Sequence, residues 1–447
     1  MNIASVKSAY FLGIGGIGMS AIARYFLSKG IKVYGYDLTP SSITDGLETA
    51  GATIHFDENI NAIPHDIDLV VHTPAVSRTH KEYIYFQEHG LPIYKRSQVL
   101  GMITDEYPTL AVAGTHGKTT TTAMLTLVQQ AEHQVLAFIG GVAKNFDSNF
   151  VLEENPDIAV VEADEFDRSF LTLHPSIAII TSMDADHLDV YGSKKQLEES
   201  FQLFANQIRD NGFLVIHEKV ADKIRHPRKI VYGTSEKADY RVCNVDLGIN
   251  SATFDLLHEG ILFRGISISV TGIYNVLNAA AAFIVAHLQG IDAQKIKGRL
   301  SKFNGVKRRL DYQIVRDDLV YIDDYAHHPE EIRACLSSIK LIFPQKKLTV
   351  IFQPHLFTRT RDFAHEFAEV LTLADKVILL DIYPAREEPI DGVTSAWLLS
   401  LIPTKDKLLL PKEELLPHLL QHRPELLVTL GAGNIDRLVP EIRAALQ

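Results

Sequence analysis

The chain has 447 residues, 46% hydrophobic and 22% charged, a globular composition with enough apolar side chains for more than one core. Its formal net charge of −11 argues against a broad nucleic-acid or anionic-lipid surface, which needs clustered lysine and arginine, so no nucleic-acid partner is expected. Two cysteines far apart, Cys243 and Cys335, exclude a disulfide framework, and no run nears the ~18 apolar residues that span a bilayer; a cytoplasmic protein without membrane insertion or a cleaved leader is expected.

Short apolar runs alternate with helix-patterned segments, the pattern of βαβ units and parallel sheets. "SAYFLG" is predicted as a first strand, followed by a helix over about 16–29 and a second strand, "IKVYGYD". Between strand and helix lies "GIGGIGMS", in which Gly13, Gly15 and Gly18 fit G-x-G-x-x-G. Gly15, Gly16, Ile17 and Gly18 are therefore candidates to seat a diphosphate on the helix amino end. Asp37 ends the second strand about twenty residues later, as in an NAD fingerprint. These residues alone favour a dinucleotide, but a lone fingerprint is a weak signal because any diphosphate can sit on such a turn. "DLVVHTP" (68–74) and "LPIYK" (91–95) continue this unit, and a helix from about Arg96 leads out of it.

"PTLAVAG" (108–114) opens a second unit and runs into "AGTHGKTTTT" (113–122). The usual phosphate loop is G-x-x-x-x-G-K-[ST], but Val112 stands where its first glycine belongs, and Gly114 comes only three residues before Gly117. Strand, glycine and Lys-Thr still coincide, so Gly114, Thr115, His116, Gly117 and Thr120 are predicted to cradle phosphate, with Lys118 on the β- and γ-phosphates and the Thr119 hydroxyl on Mg²⁺. Two buried-type strands follow, both ending in acids. "DIAVVEADE" carries Glu162, Asp164 and Glu165; "SIAIITSMDADH" and the residues after it carry Asp184, Asp186, His187 and Asp189. Glu162 and His187 beside Thr119 suit a metal bridging ATP oxygens, whereas acids that merely cap the next helices are the structural alternative. Residues 238–270 read as short antiparallel strands. An alanine-rich helix then begins near Asn275, where Asn275 and Asn278 share a face and fit a functional or a structural role equally.

A third unit starts near "KRRLDYQIV" (307–315) and carries the strands "LVYIDDYA", "LTVIFQPH", "KVILLDIY" and "ELLVTLGAG". Polar residues gather at their ends: Asp323, Asp324, Tyr325, His327 and His328, then His355, Arg359 and Arg361. The adjacent histidines raise zinc, but they lack the helical i, i+4 spacing of a zinc pair. Arginines behind a strand better suit a carboxylate or phosphate, which they grip bidentately.

In order along the chain, "GIGGIGMS", "AGTHGKTTTT", "EADE", "DADHLD.YG", "NVLNA", "GVKRR", "DDYAHHP", "FQPH..TRTRD", "YPA.EEP" and "GAG.I" resemble the Mur ligase family, and its alanine-adding branch above all. The short phosphate loop is itself a feature of that family. The resemblance implies three α/β domains: a Rossmann-like UDP-sugar domain over 1–106, a central P-loop ATPase domain over 107–306, and a Rossmann-like amino-acid domain over 307–447. It implies ATP and Mg²⁺ as cofactors, UDP-N-acetylmuramate and L-alanine as substrates, an acyl-phosphate intermediate, and a monomer or homodimer. Carried over by position, Lys118 contacts phosphates while Thr119, Glu162 and His187 serve metals. Asn275, Asn278, Arg309 and Asp324 line the nucleotide pocket, Asp37 and the first glycine loop take the UDP-sugar, and Tyr325, His327, His355 and Arg359 face the amino acid. Four departures stand out: Tyr274 where a histidine often precedes "NVLNA", Leu356 within "FQPHLF", Phe166 and Arg168 in "EADEFDRSF", and the form "HTPAVS". The rivals are a relative that recycles a whole tripeptide onto the same sugar, an NAD-dependent oxidoreductase, and a nucleotide switch without catalysis.

Overall fold

Apolar β-branched runs flanked by glycine turns become strands buried on both faces, and the intervening amphipathic segments become the helices that cover them. The computed structural model describes residues 3–184, 191, 193–385 and 387–447. His187, Asp186 and Asp189 lie outside the described residues, so their predicted roles find neither support nor correction in it.

The first sheet holds β1 (Ser8–Leu12), β2 (Lys32–Tyr36), β3 (Thr53–His55), β4 (Leu69–His72) and β5 (Ile93–Lys95), in the order β3-β2-β1-β4-β5. All its pairings are parallel. The strand order reverses between β1 and β4, which places the first glycine loop, just after β1, at the switch point where such sheets bind ligands.

The second sheet has ten strands: β6 (Thr109–Ala113), β7 (Val135–Ala143), β8 (Ser148–Leu152), β9 (Ile158–Glu162), β10 (Ile177–Ile180), β11 (Phe213–His217), β12 (Lys229–Gly233), β13 (Tyr240–Gly248), β14 (Ser251–His258) and β15 (Ile261–Ile268). Their order is β15-β14-β13-β12-β11-β10-β6-β9-β7-β8, so β6 lies between β9 and β10. Residues 238–270 do form strands, but longer ones than predicted, and β13 pairs parallel to β12 (Tyr232 opposite Tyr240) so that they extend this same sheet. The third sheet holds β16 (Asp311–Val315), β17 (Val320–Asp324), β18 (Leu348–Phe352), β19 (Lys376–Leu379), β20 (Asp406–Leu409) and β21 (Leu426–Leu430), ordered β16-β17-β21-β18-β19-β20, with only β16 antiparallel to its neighbour.

Two compact units emerge, Met1–Asn244 with Phe254–Ser267 and Leu277–Asn304, and Val245–Thr253 with Ile268–Val276 and Gly305–Gln447. The first sheet and most of the second share one unit, packed through a common apolar cluster. Tyr25, on the helix Ile17–Ser28, meets Phe138 of β7 at 6.0 Å and Phe150 of β8 at 6.4 Å between centroids. The buried Asn149 amide donates to the Ile17 carbonyl at 2.6 Å and to Ser20 Oγ at 3.1 Å, tying the helix behind the first glycine loop to β8. Among the described residues no helix is long and apolar enough to cross a membrane.

Phe170 is 1% exposed, stacked on Phe204 at 5.0 Å and edge-on to Phe201 at 5.2 Å. Phe170→Ala should cost on the order of 3–5 kcal/mol through lost burial and a cavity. Urea titration should show a markedly lower midpoint, whereas Leu38→Ala, at a side chain 74% exposed, should leave the midpoint in place.

Candidate active site

The carboxyl ends of β10, β6 and β9 lie side by side, and each supplies one wall of a single site. From β6 the chain turns through Gly114–Gly117 into the helix Lys118–Gln129. Both glycines are required. Gly114 has φ +136°, and a Cβ there would meet Thr181 Oγ1; Gly117 has φ +82°, and a Cβ would lie 2.7 Å from Asn278 Oδ1. Val112, at the position of the missing glycine, is instead a buried residue of β6 opposite Ile179 and Glu162. The shortened loop is therefore a loop that begins only after the strand has ended.

The wall from β10 braces the loop. Ser182 Oγ accepts from the His116 amide at 2.9 Å and bonds Thr115 Oγ1 at 2.8 Å, and Thr115 Oγ1 accepts from the Asp184 amide at 2.9 Å. Thr181 Oγ1 donates to the His116 carbonyl at 2.5 Å, and His116 Nε2 stands 3.6 Å from Asp184. Thr119 and Thr120 are buried in the first helical turn, close to the predicted phosphate cradle.

The wall from β9 supplies charge. Lys118 Nζ lies 2.7 Å and 2.9 Å from the two carboxylate oxygens of Glu165, which is fully buried, and also donates to the Gly114 carbonyl at 2.7 Å. Burial alone would depress the lysine's pKa, but the charges of Glu165, Asp164 and Glu162 and the bond to Glu165 hold it above its ordinary value. Glu162 is set differently. Burial raises its carboxyl's pKa, against the opposing pull of Lys118, and it takes hydrogen bonds from the Thr119 side chain and from the Gly140 amide at 2.8 Å. A Cβ on Gly140 would fall on that carboxyl group, so the backbone of β7 closes over it.

At the first glycine loop, the Gly13 and Ile14 amides both donate to the Tyr36 carbonyl, at 2.8 and 3.0 Å. Asp37 Oδ2 accepts from the Gly15 amide at 2.7 Å and its Oδ1 from the Thr39 amide at 3.3 Å. The acid predicted to meet the ligand thus also fixes the loop. Gly16 precedes the helix Ile17–Ser28, and Gly18, in its first turn, lies against Arg96.

In the other unit, Asp324 is buried at the end of β17 and anchors the turn after it, taking the Leu310 amide at 2.7 Å and the Ala326 amide at 2.8 Å. Burial pushes the neighbouring Asp323 carboxyl up to about 6, against the pull of Arg308. The Tyr325 ring has the guanidinium groups of Arg308 and Arg309 at 5.1 and 5.0 Å, and Arg309 reaches Glu331 at 3.9 Å. His327 Nδ1 donates to the Tyr325 carbonyl at 3.0 Å and faces Glu331 at 3.3 Å. Past β18, Arg359 Nη1 donates to His355 Nδ1 at 3.4 Å, and the His355 ring meets that of His327 at 5.9 Å and stacks on that of Tyr383 at 5.8 Å. Tyr325, His327, His355 and Arg359 are thus linked in one group. Asn275 donates to the Thr271 carbonyl at 2.7 Å in its helix's first turn. Among the described residues no three histidine, cysteine, aspartate or glutamate side chains form a metal cluster, so the His327–His328 pair has no zinc set around it.

Sequence reasoning missed Gly140, Ser182, Asn149 and Arg96. Only Gly140 left a signal, since a glycine pair inside an apolar strand marks a close approach. Gly140→Ala should displace the Glu162 carboxyl and weaken nucleotide binding about tenfold or more, as titration calorimetry would show. Gly298→Ala, at a helical glycine with open space around it, should leave binding unchanged.

Known proteins match this chain over nearly its whole length. Residues 8–108 match the model of the Mur ligase family catalytic domain, 112–286 the Mur ligase middle domain, and 308–415 the Mur ligase glutamate ligase domain. The UDP-N-acetylmuramate–L-alanine ligase of Cytophaga hutchinsonii is 43% identical over 99% of this chain and 97% of its own length. That of Phocaeicola vulgatus is 45% identical over 99% and 98%. Among solved structures, the UDP-N-acetylmuramate-alanine ligase of Thermotoga maritima superposes with a TM-score of 0.83 at 28% identity, covering 97% of this chain and 98% of that one. With its three sheets, its two glycine loops and these matches from end to end, the chain belongs to the Mur ligase family.

Proposed function

We propose that this protein is an ATP-dependent ligase that joins L-alanine to the lactyl carboxylate of UDP-N-acetylmuramate, yielding ADP and phosphate, in peptidoglycan precursor synthesis in the cytoplasm. The observation that carries the reading is the buried Lys118–Glu165 pair inside a glycine loop braced by Ser182, with Glu162 and Thr119 beside it. The stretches 1–106, 107–306 and 307–447 then take the UDP-sugar, ATP and the amino acid respectively.

The substrate carboxylate attacks the γ-phosphorus, and the bond from that phosphorus to the ADP oxygen breaks. The amine of L-alanine then attacks the acyl carbon, and phosphate leaves with the oxygen that had belonged to the carboxylate. A proton from the alanine ammonium must be lost first, and His355 would accept it once the Arg359 guanidinium leaves its Nδ1 for the alanine carboxylate. Arg359 supplies a fork for the alanine carboxylate. Two anions approach in the first step, so the principal task is electrostatic. Lys118 meets it from the loop, where the backbone amides at the helix start add partial positive charge.

The residues present fit Mg²⁺. Thr119 and Glu162 offer hard oxygen donors side by side, and a buried carboxyl whose proton affinity is raised gains most from a cation. When bound there, Mg²⁺ neutralises phosphate charge and leaves the γ-phosphorus more open to attack. Glu162 and Thr119 would hold it, joined by His187.

Lys118→Ala should reduce turnover on the order of a thousandfold or more, since it removes charge acting at the transition state. The double variant Lys118→Met/Glu165→Gln avoids leaving a lone buried charge and should stay folded with the same loss. With ¹⁸O in the lactyl carboxylate, one labelled oxygen should appear in the released phosphate. Unlabelled phosphate would refute the acyl-phosphate route.

A further inference from the structure

Three acids on one short loop hold three cations, one from the second glycine loop and two from the junction of β5 with the helix after it. Asp164 Oδ2 accepts from Arg96 Nη2 at 3.4 Å, Glu165 takes Lys118 at 2.7 Å, and Asp167 Oδ2 accepts from Lys95 Nζ at 2.7 Å. Lys95 ends β5, and Arg96 opens the helix Arg96–Thr104. The Arg96 guanidinium lies directly against the first glycine loop, since a Cβ on Gly18 would be 2.8 Å from its Nη1. One arginine therefore touches the first loop and the segment that grips the lysine of the second.

That segment is held firmly. Asp164 Oδ1 accepts from the Phe166 amide at 3.1 Å, and the Tyr191 hydroxyl donates to the Glu165 carbonyl at 2.5 Å. The helix behind Arg96 packs on it without slack. Thr172 Oγ1 donates to the Ser97 carbonyl at 2.7 Å, and a Cβ on Gly101 would collide with the Thr172 carbonyl. Asp167 and Arg168 stand at φ 52° and 55°, a left-handed conformation that such residues keep only where their surroundings impose it.

We propose that Arg96 and Asp164 are positioning residues for the ligation, joining the first glycine loop to Lys118 so that a ligand on one loop sets the affinity of the other. The inference rests on the reading that the first loop takes the UDP-sugar and the second takes ATP. A diphosphate arriving at Gly15–Gly18 competes with Asp164 for the guanidinium, and Asp164 directly precedes Glu165, whose carboxylate holds Lys118. Movement of this pair therefore changes the field at the lysine. Such coupling is reciprocal: each ligand must alter the other's affinity by the same factor.

The test is calorimetric titration of a non-hydrolysable ATP analogue with and without saturating UDP-N-acetylmuramate, and the converse, in the wild type, Asp164→Asn, Arg96→Met and Arg96→Lys. Asparagine keeps the oxygen that caps the Phe166 amide, so Asp164→Asn removes charge and spares the turn. In the wild type each ligand should shift the other's affinity by the same factor, about fivefold or more. In Asp164→Asn and Arg96→Met the factor should fall to within about twofold of unity, whatever each change does to the affinity of a ligand bound alone, and Arg96→Lys should restore part of it. A wild-type factor of one, or an unchanged factor in Asp164→Asn, overturns the inference. Failure of UDP-N-acetylmuramate to bind the wild type at all would instead overturn the functional reading beneath it.

Discussion

A single buried ion pair organises the nucleotide end of this molecule. Under the proposed function Lys118 waits in a folded protein for phosphates, and a lone buried ammonium would shed its proton or its place. Glu165, fully buried, prevents both. The arrangement has a price, because removing one partner of a buried pair commonly costs about 3–5 kcal/mol. The surrounding structure follows from keeping it: the loop is clamped from β10 by Ser182 and Thr181, and the Glu165 backbone is held by Tyr191. In the proposed reaction a lysine so restrained would have little reorganisation left to do, which is the basis of electrostatic catalysis.

Glycine sets the tolerances. At Gly114 and Gly117 the backbone is left-handed and a side chain would strike Thr181 or Asn278, while Gly140 and Gly18 let a carboxylate and a guanidinium lie flat on the main chain. At the last two, a charged group comes directly against the backbone. Leu356 shows a different solution: it departs from the form common in the family and stands at φ 69°, just before the short helix that carries Arg359.

The strands, both glycine loops and the polar residues at strand ends were legible because burial on two faces writes continuous apolar runs, and turns write glycine. The division of labour between Glu162 and Glu165 was not. Three residues apart after a strand, they diverge because the chain turns between them, one carboxyl passing to Gly140 and Thr119 and the other to Lys118. Arg96 was invisible because its partners, Gly18 and Asp164, are far from it in sequence. Asp37 and Asp324 read as ligand-facing acids, whereas the structure shows each holding backbone amides, and nothing in their spacing announces that duty. The strands of 238–270 were readable as strands, but their place at the edge of the central sheet depends on the parallel pairing of β13 with β12, a long-range contact without a local signature.

The most direct measurement is phosphate release from ATP and Mg²⁺ with UDP-N-acetylmuramate, in the presence and absence of L-alanine, glycine, serine and the tripeptide used in recycling. The account predicts sustained release that requires both the UDP-sugar and L-alanine. Release driven by the tripeptide and not by L-alanine, or no release under any of these conditions, would contradict it.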